Sequence, residues 1–258
     1  DVYKRQSYDK YKGDKNHAFW YFDKEMADAT EKYYANERGK TEQYIGFEQK
    51  GKLITFNPKS HVRMSPSFQP EADGVTFHLK AVYTDMLRNE YSKEHSTHPI
   101  RMSRICGPVE VVNDTTFTVR FYRMGLDNPK RTGGICLMAS VKQDHKYRSA
   151  VQQVEIRIPY RNKEGIPQRI IFPKLSDVKA SVKEISLNGT ADSGLPVYYY
   201  VKEGPAEIKG DKLVLTKIPP RAKFPVKVTV VAWQYGRSGE SKVQTAEAVE
   251  QSFYITAR

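Results

Sequence analysis

Apolar and polar residues alternate at every second position through much of this chain. The alternation is clearest over residues 77–83, 117–121 and 154–158. A period of two indicates half-buried β-strands, and turn-forming pairs such as Asp73-Gly74 separate the stretches. Because no helical stretch long enough for a crossover between parallel strands lies among them, the pattern predicts antiparallel sheets.

A helical period occurs before residue 40. Phe22, Met26, Ala29 and Tyr33 follow a spacing of i, i+4, i+7 and i+11, which places them on one face of an amphipathic helix. Gly39 is a suitable stop signal. We expect this face to be buried on the strands that follow, and we interpret the helix as the remnant of a missing upstream domain.

The pattern divides the chain into four segments. Residues 1–6 resemble the translation of an adapter used in DNA library preparation, and we expect them to be a cloning or sequencing scar on a fragment of environmental origin. Residues 7–40 hold a polar lead-in and the predicted helix. A change in strand pattern near 172–178 separates a first sandwich, 41–174, from an immunoglobulin-like sandwich, 175–258. The predicted fold is all-β, with two antiparallel β-sandwiches in tandem preceded by one amphipathic helix.

Five segments of the second sandwich have a sequence pattern that is typical of a known class of module: Ser193–Val197, Gly204–Ile208, Gly210–Leu213, Val226–Val231 and Gln251–Phe253. In these segments it resembles the bacterial immunoglobulin-like modules that occur in tandem on large secreted proteins, particularly those of polysaccharide-degrading Bacteroidota. The resemblance implies a secreted, cell-surface or periplasmic location. It also implies that the parent protein carries an upstream catalytic domain that acts on polysaccharide.

Four aromatic residues depart from the small residues usual in such modules: Tyr198, Tyr200, Trp233 and Tyr235. Each is one position out of phase with a run of small or branched apolar residues that must face the core. If the two strands are neighbours, the four rings share the outer face of one sheet. Arg237, just past the second strand, adds a hydrogen-bonding fork at the edge of this face.

Three interpretations of this aromatic face remain open. The first is that it packs against the neighbouring domain, and the second is that it is a platform on which sugars stack. The third is that it is ordinary surface, or that the strand register differs by one residue, which would bury all four rings. The function hypothesis that we carry forward is a non-catalytic carbohydrate-binding region with Trp233, Tyr235, Tyr198, Tyr200 and Arg237 as ligand-binding residues. The alternatives are a purely structural spacer that positions the catalytic domain and a β-sandwich enzyme active on polysaccharide.

Charge narrows the choice of partner. The 42 basic and 30 acidic side chains give a net charge of +12, but the basic residues are spread along the chain without a long run. This spread is typical of solubilising sandwich faces, and it also suits an anionic polysaccharide or cell surface. Specific nucleic-acid binding is not expected. No apolar run approaches the length of about 20 residues that a membrane span needs.

Candidate chemistry is sparse, and we assign no catalytic residue, metal or cofactor. His95 and His98 lie in a polar loop before a proline, which predicts a solvated segment rather than a metal site. Cys106 and Cys136 bracket the predicted strand 115–122. If the segments 100–106, 115–124 and 134–141 form a meander, the cysteines are two strands apart and too distant to bridge. We therefore predict two buried free thiols, with a disulfide only if the strands belong to opposite sheets.

Overall fold

The computed structural model describes residues 28, 29, 32, 35, 39–54, 64–85, 89–121 and 132–257. Nineteen β-strands lie in this part of the chain, which confirms the all-β fold class. They form two β-sandwiches in tandem, as the alternation of apolar and polar residues predicted.

Ten of the described strands build the first sandwich. In chain order they are β1 Tyr44–Gln49, β2 Lys52–Ile54, β3 Thr76–His78, β4 Lys80–Asp85, β5 Glu90–Tyr91, β6 Arg101–Cys106, β7 Val109–Val111, β8 Thr116–Val119, β9 Thr132–Val141 and β10 Ala150–Pro159. Three sheets result, with strand orders β2-β1-β4-β5, β3-β8-β7 and β10-β9-β6. Every pairing within them is antiparallel. Phe77, Phe117 and Ile156 are fully buried, in the phase that the sequence predicted.

Nine strands build the second sandwich. They are β11 Ile170–Ile171, β12 Val178–Lys179, β13 Glu184–Ser186, β14 Thr190–Ala191, β15 Tyr198–Glu203, β16 Ala206–Lys209, β17 Lys212–Leu215, β18 Val226–Trp233 and β19 Val249–Thr256. The larger sheet has the order β12-β19-β18-β15, the smaller one β13-β17-β16, and β11 pairs with β14. β12 joins β19 in parallel, and the other pairings are antiparallel.

The chain passes from the first sandwich to the second before residue 174/175, the boundary that the sequence suggested. Ile170 and Phe172 already belong to the core of the second sandwich, where Leu175 joins them. The last strand of the first sandwich ends at Pro159. The connection is therefore the segment 160–169, which we call the linker.

The amphipathic helix predicted before residue 40 is not supported. Asp28, Ala29, Lys32 and Ala35 have helical backbone, but their side chains are exposed, including Ala29 of the stripe that we expected to be buried. The rest of that stripe, Phe22, Met26 and Tyr33, lies outside the described residues. The same holds for the segment 1–6.

The predicted meander around the cysteines is wrong. β6 pairs directly with β9, whereas β8 lies between β3 and β7 in another sheet. Cys106 and Cys136 are consequently direct neighbours across two strands instead of two strands apart. Both are free thiols, but Cys106 is exposed and Cys136 is only partly buried, which also corrects the predicted burial.

Two kinds of feature are absent from the described residues. Within that part of the chain, no helix is long and apolar enough to cross a membrane. Likewise, no group of three or more histidine, cysteine, aspartate or glutamate side chains is arranged to hold a metal ion there.

Candidate functional site

The four predicted aromatic residues lie together on one face of the second sandwich. β15 pairs antiparallel with β18, so that Tyr198 is opposite Trp233 and Tyr200 is opposite Val231. Direct partners across antiparallel strands project from the same face of the sheet. Tyr235 extends the same alternation two residues beyond Trp233. The sequence thus placed these rings on the correct face.

These rings are largely buried, whereas the carbohydrate-binding hypothesis needs them exposed. Trp233 and Tyr235 are each 0% exposed, and Tyr200 is buried as well. All three belong to the hydrophobic core of the first sandwich, and Tyr198 packs against it. The reason is that the first sandwich covers this face. β18 consequently separates two cores, since Val228, Val230 and Ala232 on its other side face the interior of the second sandwich.

The contacts across the junction are aromatic. The ring of Phe121, from the first sandwich, lies edge-on to Trp233 with ring centres 5.0 Å apart and is tilted against Tyr235 at 5.8 Å. Phe68, also from the first sandwich, contacts Tyr235 edge-on at 6.2 Å. Tyr198 lies beside Trp233 at 5.0 Å. Edge-to-face and tilted pairs at these distances are favourable arrangements of aromatic rings.

Polar groups at the junction are mostly satisfied. The Tyr235 hydroxyl donates a hydrogen bond to the carbonyl oxygen of Pro159 at the end of β10. Burial raises the pKa of this hydroxyl far above its usual value, so it remains a neutral donor. The Asn162 side-chain amide donates to the Tyr235 carbonyl oxygen at 2.9 Å. The Trp233 indole N–H has no hydrogen-bond partner within the described structure.

Arg237, which we predicted to donate hydrogen bonds to a ligand, donates them to the protein itself. Its Nη1 donates to the carbonyl oxygen of Ala72 in the first sandwich at 3.0 Å, and its Nε and Nη2 donate to that of Ser241 at 3.1 and 2.9 Å. The guanidinium therefore ties the two sandwiches together through backbone acceptors.

Two glycines bring the two backbones into close approach beside Arg237. Gly74 has φ of +77° and belongs to a turn in which Asp73 accepts hydrogen bonds from the backbone of Val75 and Thr76. A Cβ atom on Gly74 would lie 2.0 Å from the carbonyl oxygen of Gly236. Neither the space nor the left-handed backbone suits another residue, so glycine is required at this contact.

The linker is fixed to the second sandwich along its length. The Ile166 backbone donates to the carbonyl oxygen of Lys242 and accepts from Gln244, both at 2.9 Å. Thr245 donates from its backbone to Asn162 at 3.0 Å, and Arg161 pairs with Glu247. These bonds attach the linker to the second sandwich, so it does not act as a flexible tether.

An open cleft of about 540 Å³ lies at one edge of the junction. Its charged lining residues occur in two ion pairs, Glu110 with Arg120 at 2.9 Å and Glu207 with Lys209 at 3.0 Å. Arg120 also lies over the ring of Tyr198, with its guanidinium carbon 5.1 Å from the ring centre. The cleft thus presents paired charges and offers no cluster of groups with an evident chemical task.

Sequence reasoning missed the partners of the aromatic face. Phe121 was placed by alternation on the inner side of a strand, and its position at the end of that strand gave no sign that it meets the second sandwich. Phe68 and Gly74 lie in turns and irregular segments, where periodicity carries no information about contacts. Of the three open interpretations of the face, the geometry favours packing against the neighbouring domain.

Comparisons with known proteins place the chain in no family. No family model and no curated protein matches it. Among solved structures, it is similar to Drosophila N-cadherin EC1-4 (11% identity, 75% of this chain and 47% of that chain, TM-score 0.27) and to Protocadherin Gamma B2 extracellular cadherin domains 3-6 (12%, 84% and 52%, TM-score 0.26). It is also similar to human Protocadherin-24 EC1-2 (13%, 75% and 94%, TM-score 0.28). The chain spans about half the length of the first two, and similarities this weak assign neither ligand nor partner.

Proposed function

We propose that the two sandwiches act as a rigid structural spacer that holds flanking parts of a larger protein at a fixed distance and orientation. The observation that carries this proposal is the complete burial of Trp233 and Tyr235, which belong to the second sandwich but complete the core of the first. Interfaces between domains of one chain are usually more polar than the interfaces of permanent complexes, and they permit relative motion of the domains. A shared apolar core opposes such motion.

The resemblance to modules of secreted polysaccharide-degrading proteins supplies the context of the proposal. In that context the spacer is located outside the cytoplasm and positions a catalytic domain upstream. The net charge of +12 suits an anionic polysaccharide or cell surface near such a domain. Rigidity is useful there because a fixed spacer limits the directions in which a tethered domain searches its substrate.

Small-angle X-ray scattering tests the rigidity. We expect the wild-type chain to give one narrow distribution of interatomic distances, and Trp233→Ala together with Tyr235→Ala to broaden and lengthen it. The matched control is Tyr254→Ala, since Tyr254 lies on the same sheet but is exposed. A wild-type distribution as broad as that of the double variant contradicts a rigid spacer.

Affinity electrophoresis on neutral and acidic polysaccharides separates the spacer from the carbohydrate-binding hypothesis. Because the aromatic face is covered, we expect no retardation of the wild-type chain through these rings. Retardation that Trp233→Ala abolishes, while Tyr254→Ala does not, would overturn the spacer proposal in favour of a ligand platform. Release of reducing sugar on the same panel would instead reveal an enzyme.

A further inference from the structure

Cys106 and Cys136 face one another because of a single extra residue in β6. Arg104 pairs with Leu137, and with regular pairing Ile105 would then be opposite Cys136. A bulge between Arg104 and Cys106 leaves Ile105 without a partner position and shifts the register by one. Cys106 becomes the direct partner of Cys136. A bulge re-aims the side chains that follow it, and here it brings the two cysteines of the chain opposite each other.

The pairing meets the span of a disulfide. Directly opposed residues in antiparallel strands have Cα atoms about 4.5–5.5 Å apart, and a disulfide bridges Cα atoms about 4.4–6.8 Å apart. The two thiols also interact, because the Cys106 side chain contributes to raising the pKa of the Cys136 thiol, after burial as the largest cause. The register therefore places the two cysteines at positions that a disulfide can span.

The surroundings hold this geometry and leave one sulfur accessible. β9 is paired along its length with β10 on one side and with β6 on the other, so Cys136 lies on a central strand. Gly107 follows the bulge with φ of +97°, and a Cβ there would lie 2.3 Å from the carbonyl oxygen of Gly134. Cys106 itself is exposed, so a small reagent reaches it first.

We propose that Cys106 and Cys136 form a cross-strand disulfide when the chain meets a small-molecule disulfide as oxidant. The Cys106 thiolate attacks one sulfur of the oxidant, whose sulfur–sulfur bond breaks and releases one small thiol. The Cys136 thiolate then attacks the Cys106 sulfur in the mixed disulfide and releases the second small thiol. Two protein thiols are oxidised, and the oxidant is reduced to two thiols that take up the two protons.

The bond closes the segment between Cys106 and Cys136, which carries β7, β8 and Phe121. Phe121 is the ring that contacts both Trp233 and Tyr235 at the junction. A crosslink restricts the unfolded chain and so favours the folded one. We therefore expect the oxidised chain to have a melting temperature several degrees above that of the reduced chain.

Intact-mass measurement of the full chain tests the proposal. Reduced protein is incubated with oxidised glutathione, then denatured and alkylated with iodoacetamide. For the wild type we expect no alkyl group, no glutathione and a mass lower by two hydrogen atoms, with a peptide joining the two cysteines in a non-reducing digest. The controls are Cys106→Ser and Cys136→Ser, which should each retain one thiol, alkylated or carrying glutathione. Two alkyl groups, stable glutathione adducts or disulfide-linked dimers in the wild type would overturn the proposal.

Discussion

Replacing Trp233 by alanine removes the largest buried side chain at the junction. An aromatic side chain buries about 150–250 Å², which at about 25 cal/mol per Å² corresponds to an upper estimate of about 4–6 kcal/mol. Measured truncations of buried Phe or Trp to Ala cost about 3–5 kcal/mol. Because Trp233 is fully buried and contacts rings of both sandwiches, we expect a loss of about 3–5 kcal/mol in the free energy of unfolding.

The loss should appear as uncoupling as well as destabilisation. β18 contributes one face to each core, so the two sandwiches should unfold together in the wild type. Differential scanning calorimetry is therefore expected to give one transition for the wild type and two for Trp233→Ala. Urea unfolding followed by circular dichroism supplies the free energy of the transition.

Two further variants control this prediction. Trp233→Phe keeps most of the apolar volume. The indole N–H that it removes has no hydrogen-bond partner in the described structure, so no hydrogen bond is lost. We therefore expect the free energy of unfolding to fall by less than about 2 kcal/mol. Tyr254→Ala, at an exposed position of the same sheet, should cost no more than about 1 kcal/mol. Equal small effects of Trp233→Ala and Tyr254→Ala would refute the reasoning.

Two other predictions concern the close approach of the sandwiches and the acid stability of the first. Gly74→Ala should lower the melting temperature more than Gly194→Ala. Both positions have positive φ, but only the Cβ at position 74 would lie 2.0 Å from the Gly236 carbonyl oxygen. An equal effect of the two substitutions would show that this contact does not stabilise the protein. The pKa of Asp144 is lowered from 3.8 to about 2, mainly by hydrogen bonds from the Ser96 side chain and the Tyr147 backbone. The ionised Asp144 carboxylate therefore stabilises the folded chain above pH 4, and this stabilisation disappears as the pH falls towards 2. Asp144→Asn should therefore be less stable at pH 7 and lose less stability between pH 4 and 2 in thermal melts, and an unchanged slope would contradict this.

The strand pattern made most of the fold predictable. In β18, alternation correctly divided Val228 and Val230 from Trp233, because a strand with two different environments must carry a period of two. The same argument placed Tyr198 and Tyr200 beside Trp233. These inferences succeed because each depends only on the geometry of a strand and its nearest neighbour.

What covers a face could not be predicted in this way. The alternation around Trp233 specifies an outer face equally well for a solvent-exposed platform and for a junction, and the distinction depends on Phe121, more than a hundred residues away in the chain. The cysteines show the same limit. Their pairing depends on one bulged residue, Ile105, and on the choice of β9 rather than β8 as the partner of β6.

The fluorescence of Trp233 tests the central claim most directly. The chain has two tryptophans, Trp20 and Trp233, so Trp20→Phe leaves Trp233 as the single reporter. If the sandwiches share a core, its emission under native conditions is blue-shifted and quenched little by acrylamide, and both properties change on unfolding in urea. Native emission and quenching that match those of the unfolded chain would show that the aromatic face is open to solvent and would contradict the rigid spacer.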